Sequence, residues 1–218
     1  MRRVWIGLVC MALLSIWTDA SYPMTGEEVV KKVRKRYEKL KRFSAEFEQT
    51  FEWKLAEEMH RFKGKLYLKK PNRFRLETET QTVVSDGKQV WTYVYANKQV
   101  ILTSYSDMKG MPKWEDLLFE YREQYRTQYI ALKKLGDKEY HLVELVPKEE
   151  DKDADVVEMK VWVDPKRWVV LKAAYVDLNG DVTTYRLSKV AVDPKMDDAL
   201  FAFQVPEGVD VVDMREPR

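Results

Sequence analysis

From Phe43 to Leu55 the chain alternates. Phe43, Ala45, Phe47, Phe51, Trp53 and Leu55 hold odd positions, and Ser44, Glu46, Glu48, Thr50, Glu52 and Lys54 hold even ones. Successive side chains of a strand point to opposite faces, so this pattern predicts a strand with one apolar and one wet face. The period returns in His60, Phe62, Gly64, Leu66 and Leu68 and, after a turn at Pro71-Asn72, in Phe74 and Leu76. Val83-Val84 runs into Asp86-Gly87, a hairpin signal, and residues 90–95 and 99–105 extend the series. Further strands centre on 127–135, 139–146, 156–163, 168–178 and 182–192, with Asp164-Pro165 and Asn179-Gly180 between the last three. Neighbouring strands of this kind build one antiparallel sheet with a single large apolar face.

Two stretches have helical spacing instead. Thr25-Gly26-Glu27-Glu28 reads as a capping box, in which Thr25 accepts from the Glu28 amide and the Glu28 carboxylate reaches back. Val30, Val33, Tyr37 and Leu40 then recur at helical intervals, with Lys31, Lys32, Arg34, Lys35 and Lys39 largely on other faces. A helix packed on the sheet with a solvated basic face is the expected arrangement, and a membrane-surface helix the competing one. Pro112 opens a second stretch in which Trp114, Leu117, Leu118 and Tyr121 share one face. The predicted fold is mainly β with α. It is a curved antiparallel sheet of about ten or eleven strands, an incomplete barrel capped by helices, the first of them N-terminal.

The N-terminus adds a location. Arg2 and Arg3 precede an apolar run over 4–17, and Thr18-Asp19-Ala20 follows. This is the layout of a secretory signal peptide, expected to end at Ala20 and to leave 21–218 as one domain. A membrane anchor needs about 18 or more apolar residues, which this run lacks. Cys10, the chain's one cysteine, follows bulky Val9 in mid-run and reads as part of that segment rather than as an acylation site. The exported domain is therefore expected to hold together without disulfides.

Charge and chemistry exclude several classes. Taking Arg2, Arg3 and Asp19 from 38 basic and 36 acidic residues leaves 36 and 35, no footprint for nucleic acid. His60 and His141 are the two histidines, without ligand sets of zinc spacing. Most carboxylates alternate with apolar residues as wet-face partners, and no phosphate-cradling loop occurs. No catalytic residue, metal or cofactor is expected.

Four segments then carry a resemblance. Gly64–Leu76 (GKLYLKKPNRFRL) and Val84–Tyr93 (VSDGKQVWTY), with Phe43–Gln49 upstream and Phe201–Val209 near the end, resemble the periplasmic outer-membrane lipoprotein carriers of the LolA family. The resemblance implies a half-open barrel whose apolar concave face is closed by a helical lid, and a periplasmic, non-enzymatic chaperone. It would take lipoprotein acyl chains from an inner-membrane lipoprotein-releasing ABC transporter and pass them to an outer-membrane acceptor. A monomer is expected. With the alternation, it points to Phe47, Phe51, Leu66, Phe74, Leu76 and Trp91 as cavity lining, with Leu117 and Leu118 from the lid. The family has Arg before the Pro of this motif, bonding lid carbonyls in the empty form. Here Lys70 stands there, and an ammonium lacks the planar fork of a guanidinium. Lys70 is either a lid latch or a solvated side chain. A second reading of the scaffold is an envelope lipid- or lipoprotein-sensing regulatory domain, for which an extra domain or anchor would be expected.

Overall fold

This computed structural model describes residues 24–107, 125–135, 138–148 and 156–215. The expected signal segment and the lid stretch, with Leu117 and Leu118, lie outside the described residues. Helix α1 (Gly26–Lys39) opens the described chain with the capping box in place: the Thr25 amide donates to Glu28 Oε2 at 3.0 Å and the Glu28 amide to Thr25 Oγ1 at 3.2 Å. Its buried stripe runs through Gly26, Val29 and Val33. Val29 rather than Val30 occupies the centre of that stripe, and Val30 is only half-buried.

Among the described residues twelve strands form one sheet. They are β1 (Arg42–Trp53), β2 (Glu58–Lys69), β3 (Arg73–Thr78), β4 (Gln81–Asp86), β5 (Gln89–Val94) and β6 (Gln99–Ser104), then β7 (Tyr125–Leu135), β8 (Lys138–Pro147), β9 (Val156–Val163), β10 (Val170–Asp177), β11 (Val182–Val192) and β12 (Asp210–Asp213). The order β12-β6-β5-β4-β3-β2-β1-β11-β10-β9-β8-β7 describes two meanders, β1–β6 and β7–β11, joined by antiparallel pairing of β1 with β11. The sheet is open and curved, as the alternation predicts. Eleven strands fall where the sequence places them. The twelfth, β12, pairs parallel with β6 and extends that edge.

Turn residues take the conformations their types favour. Gly87 and Gly180, at the β4–β5 and β10–β11 turns, have φ of +98° and +82°, which a side chain would strain. Asp86 Oδ1 accepts the amides of Lys88 and Gln89, closing the first of these turns.

The two sides of the sheet are covered differently. On one side α1 packs Val29 and Val33 against Tyr125, Val143, Leu145, Met159, Val161 and Val170. On the other, the segment after β11 crosses back over β3 and β4 and places a short 3-10 turn, Asp198–Phe201, against them. Phe201 is 2% exposed. Asp198 forms ion pairs with Lys69 and Arg73, and Phe203 stacks on Trp91 with ring centroids 6.2 Å apart. We call these the helix face and the strap face.

Candidate functional site

Residues directly opposite each other in an antiparallel pair point to the same side of a sheet. Ala45↔Leu66, Leu66↔Leu76, Leu76↔Val83, Val83↔Thr92 and Thr92↔Ile101 therefore trace one face from β1 to β6. Phe47↔Leu187 carries it onto β11, and Tyr185↔Ala173, Ala173↔Val161 and Val161↔Val143 carry it on to β8. This is the helix face. It holds two core clusters, one beneath α1 and one made of Leu40, Phe43, Ala45, Phe47 and Leu66. Leu68, Leu76, Leu187, Val190 and Val192 pack against the second cluster and remain partly open.

Five of the expected lining residues share this face. Phe47 and Leu66 are buried within it, while Phe51, Phe74 and Leu76 are half-buried and border the open part. Gly64 makes the burial of Phe47 possible. The two residues are paired across β1 and β2, and a Cβ on Gly64 would stand 2.6 Å from two carbons of the Phe47 ring and 2.3 Å from the Glu77 carbonyl oxygen. The ring lies where any other residue would put its side chain.

Trp91 is a correction. It pairs with Val84 and Leu102, one position out of phase with Val83 and Thr92, so it stands on the strap face against Phe203. Val90–Tyr95 is apolar or aromatic at nearly every position and offers no alternation from which to read its phase. The pairing register alone decides it.

Lys70 reaches the end of α1. Its ammonium donates to the carbonyl oxygens of Tyr37 at 2.9 Å and Glu38 at 3.4 Å, in the last turn of α1. These carbonyls belong to the N-terminal helix, because the β2–β3 turn abuts the end of α1, and the helix expected near Trp114 lies outside the described residues. The last carbonyls of a helix lack intrahelical donors and carry its negative end, which suits a cation. A second group closes the same junction. Asp193 Oδ1 accepts the amides of Lys41 at 2.8 Å and Arg42 at 3.0 Å, and the Asp193 amide donates back to Arg42 O. Desolvation pulls the Asp193 carboxyl upward, but those two amides and the charges of Arg36 and Arg42 together hold it below the usual range. Nothing in the sequence apart from Asp193 preceding Pro194 marks this group.

The two histidines part company. His60 is exposed on β2, 3.2 Å from Glu58. His141 is buried on the helix face, 3.2 Å from the Tyr129 hydroxyl and stacked on Trp168 at 5.2 Å, with the Lys32 ammonium 4.4 Å from the Trp168 ring centre. Burial first and the Lys32 charge second lower its pKa. Among the described residues no group of His, Cys, Asp or Glu could hold a metal ion.

A cleft of about 620 Å³ opens around Gly64 between Glu46, Glu48, Lys63, Lys65, Glu77, Glu79 and Arg186. Its charges are partly matched in place, Lys63 with Glu48 and Lys189 with Glu46. Such walls suit a polar occupant rather than a hydrocarbon chain. The apolar opening is on the helix face.

Comparison with known proteins gives the chain a family and a fold. The pattern of the family described as outer membrane lipoprotein carrier protein LolA matches residues 38–204. An outer-membrane lipoprotein carrier protein of Glaesserella parasuis is 25% identical over 211 residues, covering 95% of each chain. An uncharacterized protein of Methanocaldococcus jannaschii is 26% identical over 188 residues, and there the match takes in 85% of this chain but 53% of the archaeal one. This chain thus spans about half the length of that relative. Among solved structures, an uncharacterized conserved protein from Thermus thermophilus superposes with a TM-score of 0.54 at 15% identity, over 86% of this chain and 98% of that one, which is a likeness of fold.

Proposed function

Because this chain belongs to the LolA family of outer membrane lipoprotein carrier proteins, we propose that it is a periplasmic carrier that holds lipoprotein acyl chains against the helix face. Its cargo would come from an inner-membrane lipoprotein-releasing ABC transporter and go to an acceptor at the outer membrane. The observation that supports this most is the open border of the second core cluster. Leu68, Leu76 and Leu187 stand half-buried around buried Phe47 and Leu66, with Phe51 and Phe74 half-buried on the same face, and among the described residues α1 meets this apolar surface with Tyr37 and Leu40 at its C-terminal end.

Burying a methylene contributes about 0.8 kcal/mol, so a sixteen-carbon chain gives on the order of 12 kcal/mol gross. That is enough to draw a chain out of water, and too much for release unless the empty protein recovers part of it by closing over itself. The junction of α1 with β1, held by Lys70 and Asp193, is where this fold can couple the helix to the state of the face.

Phe74→Glu tests the reading. A carboxylate at an apolar border is costly to desolvate, so the variant is expected to keep its fold and lose uptake of a diacylated lipopeptide from solution. Uptake equal to the parent protein's by a folded variant would overturn the assignment of the face.

A further inference from the structure

The hairpin of β1 and β2 is longer than the sheet that supports it. Pairing of β2 with β3 begins at Gly64↔Thr78, so among the described residues 58–63 pair with no strand on that side, and all six are exposed. At about 3.3 Å per residue this arm overhangs β3 by roughly 20 Å. On its other side it is braced: β1 pairs with β11 as far as Glu52↔Val182, and the Lys54 amide donates to Asp181 Oδ1 at 2.8 Å. The arm is a built projection.

Its end is apolar. Leu55 is 90% exposed, Met59 59%, Phe62 49% and Trp53 44%, and Leu178, in the braced β10–β11 turn, is 70% exposed. The charges on the arm cancel. Glu52, Glu57 and Glu58 balance Lys54, Arg61 and Lys63. Most are engaged in place: Lys54 with Glu52 at 3.1 Å, His60 with Glu58 at 3.2 Å, and Arg61 and Lys63 with Glu48 at 3.7 and 3.4 Å.

A greasy tip on a neutral stem narrows the choice of partner. A charged partner would find no complementary field. A second copy of this chain, or another folded protein, needs roughly 800 Å² per side to bind stably, and a narrow arm ending in a handful of side chains does not supply a face of that size. A bilayer imposes no such requirement. It accepts isolated apolar side chains, seats a Trp ring at headgroup depth, and leaves lysine and arginine stems free to reach water.

We propose that the β1–β2 arm docks the protein on a neutral phospholipid bilayer, with Leu55, Met59 and Leu178 entering the acyl region and Trp53 at the headgroups. Trp53 and Phe62 lie on the helix face, in register with Phe51 and Phe47. The arm therefore leads from the bilayer to the apolar opening, and an acyl chain can cross between them along aromatic side chains instead of through water. This path rests on the carrier reading; the docking itself does not.

The test is flotation with phosphatidylcholine vesicles, using protein recovered from the envelope of an expression host in the form that export leaves. The parent protein is expected to float, to stay bound in high salt, and to show Trp fluorescence quenched by brominated lipid, with the quenched part lost in Trp53→Phe. Leu55→Glu combined with Met59→Glu is expected to weaken vesicle partition at least ~10-fold while leaving circular dichroism and uptake of dissolved diacylated lipopeptide unchanged. Three results would overturn the proposal: no flotation, equal flotation of the double variant, or flotation confined to anionic vesicles and abolished by salt. A shift of the parent protein from dimer to monomer on the same substitutions would assign the arm to self-association and overturn it too. Phe74→Glu separates the two readings. Loss of uptake with flotation kept supports both, and flotation by a parent protein that takes up no lipopeptide sinks the carrier alone.

Discussion

Replacing Lys70 with Met keeps the aliphatic stem and removes the ammonium that holds the end of α1. The contact to Tyr37 O at 2.9 Å is a full hydrogen bond, and the one to Glu38 O at 3.4 Å is marginal. A hydrogen bond to a charged group contributes about 1.5–3 kcal/mol, and a cation at a helix C-terminus about 0.3–1. Lys70 is exposed, so water competes for both carbonyls and the lower part of the range applies. The expected loss is about 1–2 kcal/mol, and at about 2–4 °C per kcal/mol for a chain of this size the melting temperature falls by about 2–8 °C. Lys70→Arg is expected to melt with the parent protein, because a guanidinium donates to the same carbonyls. The loss should be local. Amide exchange at Leu40, whose N–H donates to Arg36 O and Tyr37 O, is expected to quicken more than exchange in β9. A Lys70→Met protein that melts with the parent and protects Leu40 equally would show that the ammonium is simply hydrated. Altered lipopeptide uptake in this variant, at unchanged affinity of Lys70→Arg, would tie the helix end to the state of the apolar face.

Three further outcomes are expected. Gly64→Ala puts a Cβ against the Glu77 carbonyl and the Phe47 ring, and overpacking of this kind costs about 1–3 kcal/mol; urea unfolding reads it, and an unchanged midpoint would contradict the close approach. Phe201→Ala empties a buried site under the strap at a cost of about 3–5 kcal/mol, and limited proteolysis should then cut between β11 and β12 first. Burial and Lys32 depress the pKa of His141 in the folded state, so the unfolded chain takes up the proton first as pH falls. Stability should therefore decline from the ordinary value of 6.5 down to the folded pKa and level off below it. A urea midpoint compared at about pH 7.5 and about pH 5.5, against His141→Gln, isolates that contribution.

Period two and turn chemistry made most of this fold legible. Phe43, Ala45 and Phe47 alternate cleanly and are buried on the face their phase predicts, and the Asp86-Gly87 and Asn179-Gly180 turns are in place. The capping box at Thr25 holds to the atom. What failed to show was relational. Trp91 sits in a stretch without alternation, so only the partner strand reveals its side. Lys70 announces a donor by its place before Pro71, but which carbonyls receive it depends on where α1 ends in space. The strap escaped notice because Phe201 and Phe203 look alike on either face, and β12 is too short, at Asp210–Asp213, to carry a period of its own.

The seam between β1 and β11 sets the order in which this protein can assemble. Each meander is made of hairpins between consecutive strands and can form as soon as its own residues are available. The seam is another matter: Lys41 and Asp193, which close its end, are 152 residues apart in sequence. Contacts of such separation carry a high loop-closure cost and come late in folding. Until they form, each meander presents half of the apolar face without its continuation, and the Leu40–Leu66 cluster, which draws on Leu187, Val190 and Val192 of β11, is incomplete. A chain threaded outward from its N-terminus would thus wait, with β1 unpaired on one edge, until nearly its last strand had emerged. The surface proposed to receive an acyl chain is in that interval a surface that any other greasy segment can claim, so the same apolar face makes this protein, as it folds, a customer for chaperones.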